Sequence, residues 1–549
     1  NDEGVMVLHD DIWETSSGIP LKPVYTDADV PDSSRHGLLG QPGEAPFVRG
    51  AYPEMYRSKL WRIFQLSGFG DPNDMNQRLK FLLDAGETGI IVKHDRMTDD
   101  HLYDVDHPEI MERREDVGLT GTVTVGLRDY EKILEDIPIE SVYCKPGGGV
   151  PQSAPYTQAC YWSVAEKRGI PLKALSGTGQ SDFFLTYLGC PMREQIPPEA
   201  ALRFNLDLID WCTERMPKWV PVSIAGYNGA DSGLNAYQEL GSVFANAIEY
   251  IDGALARGNH PVEDFIHGIG GVNFRTSMDI FEDIAKLRAA RKIWSDLLQS
   301  RYGISDEKKL RLRIHVVTAG SSMTYQEPFN NIVRGTVMAL VAALGGTQSL
   351  GVSGYDEALS IPSDHAHLMS IRIQQILQEE TNLTAVADPL GGSFLIENLT
   401  DELERRSLEF LEEIENRGGF VASIADGWLM RKAEEGNSKL AVDIETGKRR
   451  VVGVNVHPID DSILEVEAFE GRSGQQSWEN AMERLTELRH TRSETGTKRS
   501  LDDLCRTLDS NDNLVPAVMK AVQADASIGE IGHSFRKVLG NWTPPSNFF

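Results

Sequence analysis

Residues Asn330–Pro362 read NNIVRGTVMALVAALGGTQSLGVSGYDEALSIP. Apolar and small residues run at helical spacing from Asn331 to Leu344, and Gly345-Gly346 then stops the helix in the way glycine commonly does at a C-terminus. Gln348–Val352, with Leu350 and Val352 alternating, reads as a short strand, and the polar loop after it carries Asp356 and Glu357. A helix that feeds a strand whose far end presents acids is half of a repeating α/β unit, with the acids placed on the face that such units use for chemistry.

Working outward, short β-rich runs alternate with amphipathic helical stretches from about residue 74. The candidate strands are Gly89–Lys93, Thr120–Val125, Ser141–Lys145, Lys173–Ser176, Val220–Ala225, Phe265–Gly268, Leu312–Val317 and Gln348–Val352. Helices such as Ser277–Leu297 and Asn331–Leu344 separate them. Eight strands divided by helices predict an α/β fold of the (β/α)8 TIM-barrel type over residues 51–400. Residues 1–50, rich in Pro and Gly, read as an extended N-terminal arm suited to wrapping a partner subunit. Residues 401–470 read as a helical region closing the barrel, in which Val451–Asn455 forms a strand and turn. Residues 471–549 read as a helical C-terminal extension, with a Ser/Thr/Lys-rich linker around 491–500.

The chain has 54 basic and 82 acidic residues, a formal charge of −28. That surface disfavours nucleic acid and anionic membranes, while a local basic patch can still hold a phosphate. The five cysteines, Cys144, Cys160, Cys190, Cys212 and Cys505, form no CxxC pair and fit a reduced, cytoplasmic protein. No signal peptide and no run of about 18 apolar residues is evident, so no membrane span is expected.

The loops after the candidate strands hold Lys93-His94-Asp95, Lys145-Pro-Gly-Gly-Gly149, Thr178-Gly-Gln180, Gly226-Tyr-Asn228, Asn273, Thr318-Ala-Gly320 and Ser353 to Glu357. This set is polar and Gly-rich but contains no zinc cluster, GxSxG elbow or Walker A motif. The glycines after Lys145 offer either a phosphate cradle or a plain flexible loop. No trio of side chains is an obvious catalyst, so the site needs an external source of reactivity.

A set of ordered segments resembles the catalytic chain of the adenosylcobalamin-dependent acyl-CoA mutases, the methylmalonyl-CoA mutase family. They are Tyr52-Pro-Glu-Met-Tyr56 through Gln65-Leu-Ser-Gly-Phe69, Gly177-Thr-Gly-Gln180, Ser223-Ile-Ala-Gly-Tyr227, Ala285-Lys-Leu-Arg-Ala-Ala-Arg291, Asn330-Asn-Ile-Val-Arg334, Gly345-Gly-Thr-Gln-Ser-Leu350, Asp356-Glu-Ala-Leu359, Ala387-Asp-Pro-Leu-Gly-Gly-Ser393 and Val451-Val-Gly-Val-Asn455. The resemblance covers about residues 50 to 460. The DxHxxG motif of the family's cobalamin domain has no counterpart, since Asp364-His-Ala-His367 does not fit it.

The resemblance therefore implies the large subunit of a split mutase, organised like the 2-hydroxyisobutyryl-CoA and isobutyryl-CoA mutases. A small cobalamin-binding subunit would supply the cobalt ligand, in a heterotetramer of two large and two small subunits. It implies a radical 1,2-rearrangement of an acyl-CoA, with the cofactor carrying the reactivity and the protein shielding and positioning it. Gly68, Gly320, Glu357, Ala358, Asp231 and Ser353 fall at cofactor positions, with Glu357 as the acid that binds the adenosyl ribose. Tyr52, Met55, Lys59, Arg62 and Thr178 fall at substrate and coenzyme A positions. Gln180 and Asn228 are the candidates for holding the thioester, Leu66 for shaping the acyl pocket, and Lys93 or His94 occupies the place where hydroxyacyl mutases carry an acid.

Departures from the family pattern concentrate on the acyl side. Asn228 replaces a histidine, Leu66 a tyrosine, and Cys190 stands near the arginine that pairs a malonyl carboxylate. Ile266–Val272 replaces a segment that carries another arginine. Methylmalonyl-CoA is therefore not the expected substrate. Two other readings remain open on sequence alone: a mutase acting on something other than an acyl-CoA, and a non-catalytic scaffold for a cobalamin-binding partner.

Overall fold

The computed structural model describes residues 14–30, 39–147, 149–189, 194–459, 473–543 and 545. Its strands are β1 (Arg62–Ile63), β2 (Leu66–Ser67), β3 (Gly89–Val92), β4 (Tyr143–Lys145), β5 (Gly177–Thr178), β6 (Trp219–Val220), β7 (Gly271–Thr276), β8 (Arg313–Thr318) and β9 (Ser349–Gly351). All pair in parallel, in two sheets ordered β1-β9-β8-β7 and β2-β3-β4-β5-β6. Parallel strands need crossovers, and here helices supply them and cover the sheets, so that the four residues of β3 are all buried.

Two backbone links run between the segments that carry the two sheets. β1 and β2 lie on one extended stretch, in which the Phe64 N–H donates to the Leu350 carbonyl at 3.0 Å. At the other side Ile224 bridges to β7, donating to Gly271 O at 3.1 Å and accepting from Asn273 N at 2.8 Å.

Local chemistry sets the helix limits. Asp71 and Asp74 form a capping box at the start of Pro72–Asp84, and Asn235 and Gln238 do the same for Ala236–Arg257. Ile280–Tyr302 ends on Gly303 at φ 69°, a left-handed position that favours glycine. Buried ion pairs then lock helices together. Lys286 meets Glu239 at 2.8 Å and Asp283 at 2.9 Å, and Arg288 meets Glu397 at 2.6 Å.

Several expected boundaries need correction. Phe265–Gly268 lies inside the helix Val262–Ile269, and the strand begins at Gly271. Val262, Phe265, Ile266 and Ile269 are the buried residues of that helix, at spacings of three and four. Thr120–Val125 makes only a single bridge, His94 to Thr122. Lys173–Ser176 is mainly a short 3-10 turn ahead of β5. Val451–Asn455 is a turn carrying the bridge Val452 to Val456. Residues 494–500 belong to the helix Glu494–Leu508, capped by Ser493 rather than forming a linker.

Residues 14–30 lie along this chain's own helices. Thr15 Oγ1 donates to Glu282 at 2.6 Å, and Asn398 Nδ2 donates to the Asp29 carbonyl at 2.8 Å. Towards the C-terminus, Val515–Gln523 packs on Ala154–Lys167, and Arg489 pairs with Asp104 and Asp106 at 2.8 and 2.6 Å. No helix of the described residues is long and apolar enough to cross a membrane.

Candidate active site

Because every strand points the same way, their starts gather at one end and their finishes at the other. A cavity of about 830 Å³ runs between these ends. At the strand starts it is lined by Lys59, Arg62, Lys218 and Arg313. Among the described residues none of the four forms an ion pair with a carboxylate. The Arg62 guanidinium sits 4.3 Å over the Tyr143 ring, and Arg313 donates to the carbonyl and ring of His267. Desolvation, then Arg62 and Arg313, lower the Lys59 pKa. The His267 imidazole is pushed down to about 4, first by desolvation and then by Arg313 and Lys309. An uncompensated cluster of cations on a chain of charge −28 is a site for an anion.

At the strand finishes the sign reverses. Glu357 and Asp231 line the wide mouth together with Gly68, Gly320 and Ser353. The Glu357 carboxyl is enclosed by the cavity walls yet open to the void. Desolvation, then Asp356 and Asp231, raise its pKa to about 7. Asp231 accepts from Ser321 Oγ at 2.8 Å and faces Arg275 at 3.3 Å. Asp356, by contrast, is buried and accepts from the Ser363 N–H at 3.0 Å, so it holds the loop rather than a ligand.

Two carboxylates at a glycine-lined mouth are acceptors suited to the hydroxyl donors of a ribose. A Cβ added at Gly320 would meet only Glu357 atoms at 3.8 Å, so the space above it is open. At Gly68 a Cβ would stand 2.1 Å from the Lys93 carbonyl, so packing against the neighbouring strand requires that glycine.

Between the ends lie Leu66, Tyr143, Lys145, Thr178, Gln180 and His315. Leu66 is 47% exposed and lines the void. Gln180 accepts from Lys145 Nζ through Oε1, while its Nε2 is buried without a well-formed hydrogen bond. Tyr227 also lines the cavity, with its hydroxyl beside the amides of Gln180 and Asn228. Desolvation and Lys145 push His315 down to about 3, so its ring is neutral, with Nδ1 2.9 Å from Ser349 Oγ.

Most expected site residues meet in this cavity: Tyr52, Met55, Lys59, Arg62, Leu66, Gly68, Thr178, Gln180, Asp231, Gly320, Ser353 and Glu357. Met55 is also core, 4% exposed. Asn228, Lys93, His94 and Ala358 are not part of the lining. His94 is buried behind it, 2.9 Å from Asp99 and within 2.8 Å of the Tyr130 hydroxyl. Lys93 donates to the His94 carbonyl. Gly147 has φ 103°, and a Cβ there would strike the His94 ring at 1.9 Å. That packing explains a glycine after Lys145 without a phosphate. Cys190 lies outside the described residues. Sequence reading passed over Lys145, His315, Lys218 and Arg313 as site residues. Their signal was position alone: Lys145 and Arg313 at strand ends, Lys218 just before β6 and His315 inside β8.

A parallel α/β enzyme whose cavity is cationic at one mouth and acidic at the other can take an elongated ligand with an anionic tail from one side and a hydroxyl-rich ligand from the other. Comparison with known proteins agrees with that class. The family model described as methylmalonyl-CoA mutase matches residues 14–541. The chain is 35% identical over 534 residues to the 2-hydroxyisobutanoyl-CoA mutase large subunit of Aquincola tertiaricarbonis, covering 96% of this chain and 92% of that protein. It is 36% identical over 539 residues to the methylmalonyl-CoA mutase of Cereibacter sphaeroides, covering 96% and 72%. With the methylmalonyl-CoA mutase of Escherichia coli K12 the identity is 34% over 541 residues, covering 97% and 73%. The chain belongs to the methylmalonyl-CoA mutase family of cobalamin-dependent isomerases.

Proposed function

We propose that this chain is the catalytic large subunit of an adenosylcobalamin-dependent mutase that rearranges the carbon skeleton of an acyl-CoA other than methylmalonyl-CoA. The observation that carries the reading is the polarity of the cavity. Lys59, Arg62, Lys218 and Arg313 suit the phosphates of coenzyme A, and Glu357 with Asp231 suits the ribose of the adenosyl group. When bound, the cofactor supplies the radical chemistry. The chain's own residues exclude water, hold the thioester through Gln180, and shape the acyl space with Leu66. Asn228 stands beside Gln180 and Tyr227, behind the cavity wall, and supports that grip from there.

A single (β/α)8 barrel over residues 51–400 goes with this reading. The shared stretch of β1 and β2 and the Ile224 bridge to β7 support it. The arm (1–50), the helical region (401–470) and the extension (471–549) would flank it. A small cobalamin-binding chain completes the enzyme, in a cytoplasmic heterotetramer of two large and two small subunits. Likeness to a protein named as a large subunit supports the partner.

The acyl group differs because Leu66 leaves room where the family has a tyrosine and Asn228 replaces a histidine. The test is reconstitution of the chain with a cobalamin-binding subunit and adenosylcobalamin, followed by chromatography for isomeric thioesters from a panel of acyl-CoAs. Cofactor-dependent isomerisation of a member other than methylmalonyl-CoA supports the reading. Binding of no acyl-CoA by the chain refutes it.

A further inference from the structure

Lys145 ends β4 with its side chain on the wall of the central cavity. An ammonium has donors and no acceptor, so it can meet only the amide oxygen of Gln180, and this turns Gln180 Nε2 away from it. Among the described residues no carboxylate forms an ion pair with Lys145. Lys93, behind the wall, adds a second positive charge and also lacks an ion pair among the described residues. The middle of the cavity thus offers a cation and an amide N–H, with no negative group opposite them.

We propose that Lys145 is the specificity-determining cation of the acyl pocket, and that the acyl group taken by this chain carries a carboxylate. The inference rests on the mutase reading above. A thioester carbonyl is neutral and is satisfied by amide donors such as Gln180 Nε2. An enclosed ammonium without a counter-charge is costly, so this site either gives up the proton or takes an anion beside it. The carboxylate would approach from the β4 side, so the length and branching of the acyl group decide whether it reaches Lys145.

Protonation gives this site a signature. Desolvation, then Lys93, lower the Lys145 pKa to about 7, against an opposing pull from Asp100. Asp100 itself lies 3.7 Å from Arg96, and His315 across the void is neutral. A bound carboxylate raises the pKa of Lys145. At pH 8 the free amine is mostly neutral and the bound one charged, so binding takes up close to one proton. At pH 6 both states are charged and uptake vanishes. Glu357 and the coenzyme A phosphates also titrate near neutrality, so the measurement compares ligands that differ only in the acyl end.

The experiment is calorimetry on the full chain with three pairs matched in carbon skeleton, a carboxylate in one member standing where the other has a methyl: methylmalonyl- and isobutyryl-CoA, succinyl- and butyryl-CoA, glutaryl- and pentanoyl-CoA. Each pair is titrated at pH 6 and 8 in buffers of different ionisation enthalpy. In at least one pair the carboxylate member binds about tenfold tighter or more and takes up an extra proton at pH 8. Lys145→Met removes both effects and leaves the uncharged member within about threefold, which also shows that the variant is folded. Lys145→Arg keeps the preference and loses the uptake, because arginine stays charged. The proposal is overturned if the uncharged member binds as well or better in every pair, or if the preference survives in Lys145→Met. Equal binding within pairs defeats this proposal alone, whereas binding of no acyl-CoA defeats the mutase reading with it.

Discussion

Arg62→Gln tests the assignment of the cationic mouth. Arg62 opens β1, is half-buried, and stacks 4.3 Å over Tyr143 without an ion pair among the described residues. Its charge is therefore available to a ligand. A charge-assisted hydrogen bond is worth about 1.5–3 kcal/mol, or roughly 10- to 150-fold in Kd. Solvent screens a half-buried group, and Lys59 and Arg313 remain in the variant, so the low end, about tenfold, is expected. Calorimetry would compare an acyl-CoA with the matching acyl-pantetheine, which lacks the phosphates. The acyl-CoA should lose about tenfold at low salt and much less at about 0.5 M, where the Debye length has shrunk to a few ångströms. The acyl-pantetheine should stay within about twofold. Equal losses for both ligands, or no loss for either, would show that this mouth does not read phosphate.

Leu66→Tyr should narrow the acyl space and move preference towards smaller acyl groups, read as relative affinities over an acyl-CoA panel; an unchanged ranking removes Leu66 from the pocket wall. Glu357 is the case for pH. Its folded pKa of about 7 lies above its ordinary value of 4.5, so the folded state holds a proton the unfolded chain has released, and Glu357 lowers stability progressively as pH rises from 4.5 to 7. Glu357→Gln should therefore raise the melting temperature at pH 8 more than at pH 4.5, and an equal effect at both would contradict the raised pKa. Lys286→Met leaves Glu239 and Asp283 buried without their shared ammonium and should cost about 3–5 kcal/mol in urea denaturation. A loss below about 1 kcal/mol would mean that water or Arg275 already compensates them.

Much of the fold was legible because its signals are local. The Gly-Gly stop after Leu344 and the buried runs at 89–92 and 349–351 mark themselves. The misreadings share a cause. Phe265-Ile266 looks like a strand when taken as an apolar pair, but Val262 and Ile269 complete a helical face. β1 and β2 are two residues each, too short for any period to show, and only their pairing with β9 and β3 makes them strands. At the site, Lys145 reads as the start of a glycine loop until β4 places it on the cavity wall beside Gln180.

The sequence by itself determined the family, the helical framework and the candidates for each mouth of the cavity, because motifs and periodicity are written along the chain. Tertiary structure alone decided which charges face a ligand. Asp356 and Glu357 are neighbours in sequence, yet one is buried against the Ser363 N–H and the other opens into the cavity. Lys93 follows β3 and Lys145 ends β4, yet only Lys145 lines the void. The reason is physical: whether a charge is free depends on the partners that distant segments bring to it, and those partners exist only once the strands have paired.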